Sequence, residues 1–270
     1  MNIENPCNSI EAVLSQYPTT KNITIYVIGP IPITNNISTN KHISFVGLNE
    51  ESSIVFNNTG SLNFVPDLQS IKITGNSNQT LFNNQLNSAI WSNVTFTNLN
   101  AESITSVSNI NIENSNFEYV SCSIICMNID GETKLNNVVG NWFKAKGVFK
   151  CNGNTIINLS NFQNNLISSS IFWFNDNYII TNSEFINNNQ NFYVECVNNN
   201  TNSYIIDNSI ICNSNNLITS NCNNNNSSVI INGGYSINNA DQISVIFNGT
   251  QSCSTINMTN NFTGKKFYLF

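Results

Sequence analysis

The chain has 270 residues, enough for one large domain with a substantial core or for two small ones. Charged residues make up only 9%, with 9 lysines, no arginine, 15 acids and a net charge of −6, so no basic footprint for a nucleic acid is present. About one residue in five is Asn, yet 17 Phe, 8 Tyr, 3 Trp and a hydrophobic content of 40% supply the apolar surface that a wholly disordered, low-complexity chain lacks.

The first predicted element is a short amphipathic helix in NPCNSIEAVLSQYP. Ile10, Val13, Leu14 and Tyr17 recur at helical spacing, Asn8 or Ser9 can cap the start, and Pro18 follows the end. The stretches NITIYVIGPIPI and ISFVGLNEESSIVF come next and read as strands. Residues 1–42 are therefore expected to cap one end of a single structural domain whose body runs over 43–270, because a terminal repeat must cover its open core. His42, in NKHISF, precedes a strand and reads as a surface or strand-edge residue.

From residue 89 onward the sequence repeats. NINIENSNF (109–117), TIINLSNF (155–162), YIITNSEF (178–185), YIIDNSII (204–211) and TINMTNNF (255–262) share a strand, a small polar turn and an apolar anchor. Weaker copies are AIWSNVTF (89–96), KLNNVVGNWF (134–143) and VIINGGYS (229–236). With Phe96, Phe117, Phe143, Phe162, Phe185, Ile211, Tyr235 and Phe262 as anchors, the mean period is close to 24 residues. Leucine-rich repeats share that period but need a regular Leu pattern and a helical return, and neither is present. Short alternating strands stacked coil upon coil instead predict an all-β fold, a parallel β-helix of about ten coils rising about 4.8 Å each. Asn93, Asn114, Asn182, Asn208 and Asn232, with Gly140, then fall three residues before the anchor and form a corner column. Asn and Gly tolerate a left-handed turn, and stacked amides can bond from coil to coil. The NLSNF coil departs from the column by one residue.

Eight cysteines accompany this pattern. Cys126, Cys151, Cys196 and Cys222 recur at about one coil spacing, with Phe174 and Phe247 at equivalent places. Two readings stand: buried stacked thiols, or disulfides Cys126–Cys151 and Cys196–Cys222 between neighbouring coils. Zinc is not expected, because no C-x-x-C pair or His partner accompanies them. Twelve Asn-X-Ser/Thr sequons run from Asn22 to Asn261, and those in loops, such as Asn199, Asn225 and Asn248, are the expected N-glycan acceptors. Asn93 is expected to stay bare within the corner ladder. These features point to an extracellular or cell-surface setting. The stretch MNIENPCNSIEAV does not read as a secretory leader, and no run reaches the 18 or so apolar residues of a membrane span.

The stretches CNSIEAVL, ITIYVIG, ISFVGLNEESSIVF and the repeated I-x-N-S-x-F-x-N-N resemble the pectin-lyase-like superfamily of right-handed, single-stranded parallel β-helices. Their Asn-rich style is similar to social-amoeba cell-surface β-helix proteins. The resemblance implies the fold but not an activity, since lyases, hydrolases, adhesins and tailspikes share it. Lyases of the superfamily use an Arg base, which this chain lacks. Polygalacturonase-like members use paired Asp and a G-H-G segment, also missing here. Were the chain an enzyme, its acids would come from Asp130, Glu132, Asp176 or Asp207. Asp130-Gly131-Glu132 could hold a weak calcium ion or serve as a charged turn; no other cofactor is implied. Three classes follow: a non-catalytic, monomeric recognition domain binding a glycan or a cell-surface protein through a lateral face, a carbohydrate-active enzyme, or a stiff spacer. Exposed aromatics on one face would favour the first over the third, and Trp91, Trp142, Trp173, Tyr119 and Tyr193 are the candidates. Lys144, Lys146 and Lys150 form a small basic group or a solvated face.

Overall fold

The computed structural model describes Cys7, residues 9–83, 88–186 and Asn188, and beyond them the backbone of strands at 190–196, 203–207, 210–212, 216–222, 228–232, 243–247, 255–259 and 267–268. The described residues form a parallel β-solenoid. One helix, Ile10–Gln16, precedes it, with Ser9 as N-cap accepting the Ala12 amide and Ile10 buried against the core. No helix among the described residues is long and apolar enough to cross a membrane.

Three strand ladders run the length of the solenoid, and every pairing is parallel. In the first, Asn22–Val27 pairs with His42–Gly47, so the strands just after the helix already belong to the stacked coils. Its inward column reads Ile25, Phe45, Leu68, Trp91, Ile112, Leu135, Ile157 and Ile180, one residue per coil and all buried. The second ladder carries the anchor column Ile54, Ile73, Phe96, Phe117, Gly140, Phe162 and Phe185. The third carries Leu62, Phe82, Thr105, Met127, Phe149 and Phe172. Successive rings stack with nearly parallel planes where coils match, as in Phe96–Phe117 (4.6 Å, 5°) and Phe149–Phe172 (4.9 Å, 8°). Period-two alternation in each strand therefore supplies a continuous apolar core.

The corner between the first and second ladders explains the repeated motif. Ser70, Asn93, Asn114, Asn137, Leu159 and Asn182 all adopt left-handed backbone, with φ between 49° and 54°. The residue after each turns inward. Where it is Ser, its hydroxyl donates to the carbonyl two residues earlier and accepts an amide of the adjoining coil: Ser115 from Val94, Ser160 from Val138, Ser183 from Ser160. Asn-Ser is thus one device, in which Asn takes the turn and Ser satisfies buried backbone. Amides bond along the corner, Asn137 to Asn114 (2.9 Å) and Asn93 to the Ser70 hydroxyl (3.2 Å).

Two sequence assignments shift here. Gly140 stands in the anchor column, not the corner column, where Asn137 sits instead. Phe143 correspondingly leaves the anchor column and packs over Gly140; a Cβ there would come within 2.5 Å of the Phe162 ring and 3.1 Å of Phe143. The NLSNF coil keeps register, with Leu159 rather than Asn158 at the left-handed position. Asn208 and Asn232 fall where side chains lie outside the described residues, and so do Asn199, Asn225 and Asn248.

Candidate functional site

The corner between the second and third ladders also turns through left-handed backbone, at Asn98, Tyr119, Trp142 and Asn164 (φ 48–58°). Asn accepts this conformation readily, whereas a large aromatic does so at a cost of about 1–2 kcal/mol. Tyr119 and Trp142 hold it in consecutive coils because Val120 and Phe143, which follow them, are wholly buried and fix the turn. Their rings stack at 6.2 Å with planes 9° apart, and 52% and 47% of the two residues remains open to solvent. Large apolar rings on an outer corner add nothing to the core. They form the one exposed aromatic stack among the described residues.

Polar side chains flank the pair on both sides. Glu118 and Asn141 pair in register just before it, Ser121 and Lys144 just after it. Toward the N-terminal coils the same edge opens into a groove of about 530 Å³ lined by Asn58, Asn76, Asn78, Asn100, Glu102 and Ser123. Asn100 is the register partner of Ser121, which places groove and ring pair side by side along the solenoid axis. The volume falls in the range of small-ligand sites. Its lining offers mostly neutral donors and acceptors, with Glu102 as a carboxylate. Ser123 donates its backbone amide to the Ala101 carbonyl (3.1 Å) and follows Cys122, which forms a disulfide with Cys126 (Cα atoms 5.5 Å apart).

That disulfide corrects the cysteine assignment. Cys126 bonds Cys122 within its own coil, and Cys151 is a free, buried thiol. The register pairs Cys151 with Ile129 and Phe174, three positions from the phase of Cys126, so a Cys126–Cys151 bridge would cross strands out of step. Burial raises the Cys151 thiol to about 11, partly offset by hydrogen bonds with the Thr133 and Thr155 side chains. Cys196 and Cys222 are Cα partners in register; their side chains lie outside the described residues.

The other predicted residues separate. Trp91 is buried and donates its indole N–H to the Pro66 carbonyl (3.1 Å), so it is no platform. Trp173 is half-buried with the Lys150 ammonium 5.6 Å above its ring. The Tyr193 side chain lies outside the described residues. Three of the acids have partners: Asp130 accepts from the Asn152 amide (2.9 Å), Glu132 pairs with Lys134 (3.0 Å), and Asp176 accepts the Asn177 amide (2.8 Å). Asp207 is in register with Thr181, its side chain outside the described residues. No group of three His, Cys, Asp or Glu that could hold a metal occurs among the described residues, and the Asp130 and Glu132 carboxylates turn to separate partners. His42, exposed at the head of its strand, lies 2.9 Å from Asp67.

Sequence reasoning named Tyr119 and Trp142 only among five aromatics and missed the groove, which comes from four successive coils and has no local motif. No family model, no curated protein and no solved structure matches the chain.

Proposed function

We propose that this protein is an extracellular or cell-surface recognition domain, a non-catalytic relative of the pectin-lyase-like β-helices, that binds an extended carbohydrate along the corner bearing Tyr119 and Trp142. The observation that carries the reading is the exposed, stacked ring pair, two large aromatics at a corner that Asn98 and Asn164 take in the coils on either side. Aromatic faces take the apolar face of a pyranose, and the polar side chains that flank the pair, Glu118, Ser121, Asn141 and Lys144, take its hydroxyls. Coils spaced about 4.8 Å apart repeat such groups along one line, which suits a polymer. The low charge of the chain fits a neutral ligand.

The test is binding of the purified chain to immobilised cellulose, chitin, pectin and alginate oligomers, with reducing-end release followed in parallel. Trp142→Ala or Tyr119→Ala is expected to weaken binding about 30-fold or more, the size of an aromatic hot spot. Binding of a protein but of no glycan, through the same two rings, would move the ligand class. Turnover abolished by Asp130→Asn, Glu132→Gln, Asp176→Asn or Asp207→Asn would replace recognition with catalysis, and binding of nothing would leave the stiff spacer.

A further inference from the structure

Six of the sequons have described side chains, and their surroundings divide them. Asn93 donates its amide to Ser70, and Asn158 donates to Asn136 while its carbonyl accepts from Thr181 and Asn182. An amide committed in this way cannot turn toward a glycosylating enzyme without breaking the corner ladder. Asn22, Asn36 and Asn57 belong to strands. Asn78, in Asn78-Gln79-Thr80, is different. It sits in the two-residue turn between the strands Lys72–Ser77 and Thr80–Asn83 and is exposed. Its side-chain carbonyl accepts from Gln79 (3.2 Å), and its Nδ2 makes no hydrogen bond among the described residues. It also lines the groove beside the Tyr119–Trp142 pair.

We infer that Asn78 is an N-glycosylation site whose own glycan lies in this groove and closes it, so that an outside ligand reaches the corner through the ring pair. In the transfer, Asn78 Nδ2 attacks the anomeric carbon of a polyprenyl-diphosphate-linked oligosaccharide. The Nδ2–C1 bond forms, the C1–O bond to phosphate breaks, the amide gives up one proton, and the polyprenyl diphosphate leaves with the bonding electrons. The groove, at about 530 Å³, is roomy enough for the first sugars, and its amide and hydroxyl lining suits their hydroxyls. A glycan rooted in the wall of the groove is always present at high local concentration, so weak contacts suffice to keep it there.

The inference rests on the extracellular setting of the proposed function, but expression of the full chain in a secretory eukaryotic host tests the acceptor itself whatever the native compartment. Glycopeptide mass spectrometry is expected to find Asn78 occupied, with Asn93 and Asn158 bare. Carbodiimide labelling of the exposed Glu102 carboxylate, which lines the same groove, is expected to rise severalfold when the glycan is absent through Asn78→Gln. Thr80→Ala removes the acceptor motif while keeping Asn78, so one variant stands in if the other misfolds. An unmodified Asn78 in the secreted chain overturns the site. An occupied Asn78 with Glu102 labelling unchanged by its loss overturns the closure. Neither outcome touches the carbohydrate reading, which is decided by polymer binding through Trp142.

Discussion

Leu159 shows how much one backbone position matters. It is a large apolar residue, 56% exposed, at a left-handed corner that Asn occupies in the coils on either side. It interrupts the amide ladder, and Asn182 bonds past it to Asn158. Leu159→Asn is expected to raise stability by about 1 kcal/mol, by removing the left-handed penalty and restoring a rung, and thermal denaturation would show it as a raised Tm. A lowered Tm would mean that Leu159 has a contact the corner needs. Cys151 gives a second residue-scale expectation. Its thiol is raised from 9.0 to about 11 by burial, so on an alkaline shift the unfolded chain gives up the proton first. The stabilisation is complete below pH 9 and is lost as pH rises through 11. Cys151→Ala should therefore show a shallower fall of stability with pH between 9 and 11 than the parent chain, and equal slopes would contradict the assignment.

At the scale of elements, the ladders were legible because inward residues alternate strictly, and apolar residues one coil apart fall in step. The first ladder reads straight off Ile112, Leu135, Ile157 and Ile180. Corners were less legible, because a turn may take Asn, Leu, Tyr or Trp once the buried residues beside it fix its course. Gly140 reads as a corner and Phe143 as its anchor for this reason: small size suggests a turn, whereas the corner belongs to Asn137 and the glycine makes room for a neighbouring ring. The cysteines failed similarly, since a separation of 25 residues looks like one coil while the register there steps by 22. Trp91 and Trp142 differ in phase. Trp91 is in register with Leu68 and Ile112 and so points inward, while Trp142 directly precedes the inward Phe143. The N-terminal helix packs Ile10, Val13 and Leu14 on the core, and the segment after it is pinned by the Lys41 ammonium, which donates to the carbonyls of Tyr17, Pro18 and Thr20 at 2.8, 2.9 and 2.7 Å. Lys41→Met should speed amide exchange over residues 10–20 roughly tenfold, the equivalent of about 1.4 kcal/mol for a bond to a charged donor. Exchange in the strands after residue 42 should be unchanged. A uniform acceleration would show that the cap and the coils open together.

Over the whole molecule, each coil touches chiefly the one before and the one after, so damage stays local. Phe162 is fully buried, with Phe149 and Phe172 packed edge-on and Phe185 stacked at 5.6 Å. Phe162→Ala should cost about 3–5 kcal/mol. The loss is expected as early exchange in residues 139–186, with the N-terminal coils intact, and a single cooperative loss of every coil would refute nearest-neighbour coupling.

The matched register of neighbouring coils has a consequence for how such a chain can change over generations. Thr155, Ile156 and Ile157 pair with Tyr178, Ile179 and Ile180, each residue 23 positions from its counterpart. Excising residues 155–177 would bring Tyr178 to the place Thr155 holds, with every inward position still inward and the molecule shorter by one strand spacing, about 4.8 Å. Length in this architecture is therefore inherited in discrete units. Unequal recombination between neighbouring copies can lengthen or shorten the solenoid while the corner that bears Tyr119 and Trp142 keeps its rings.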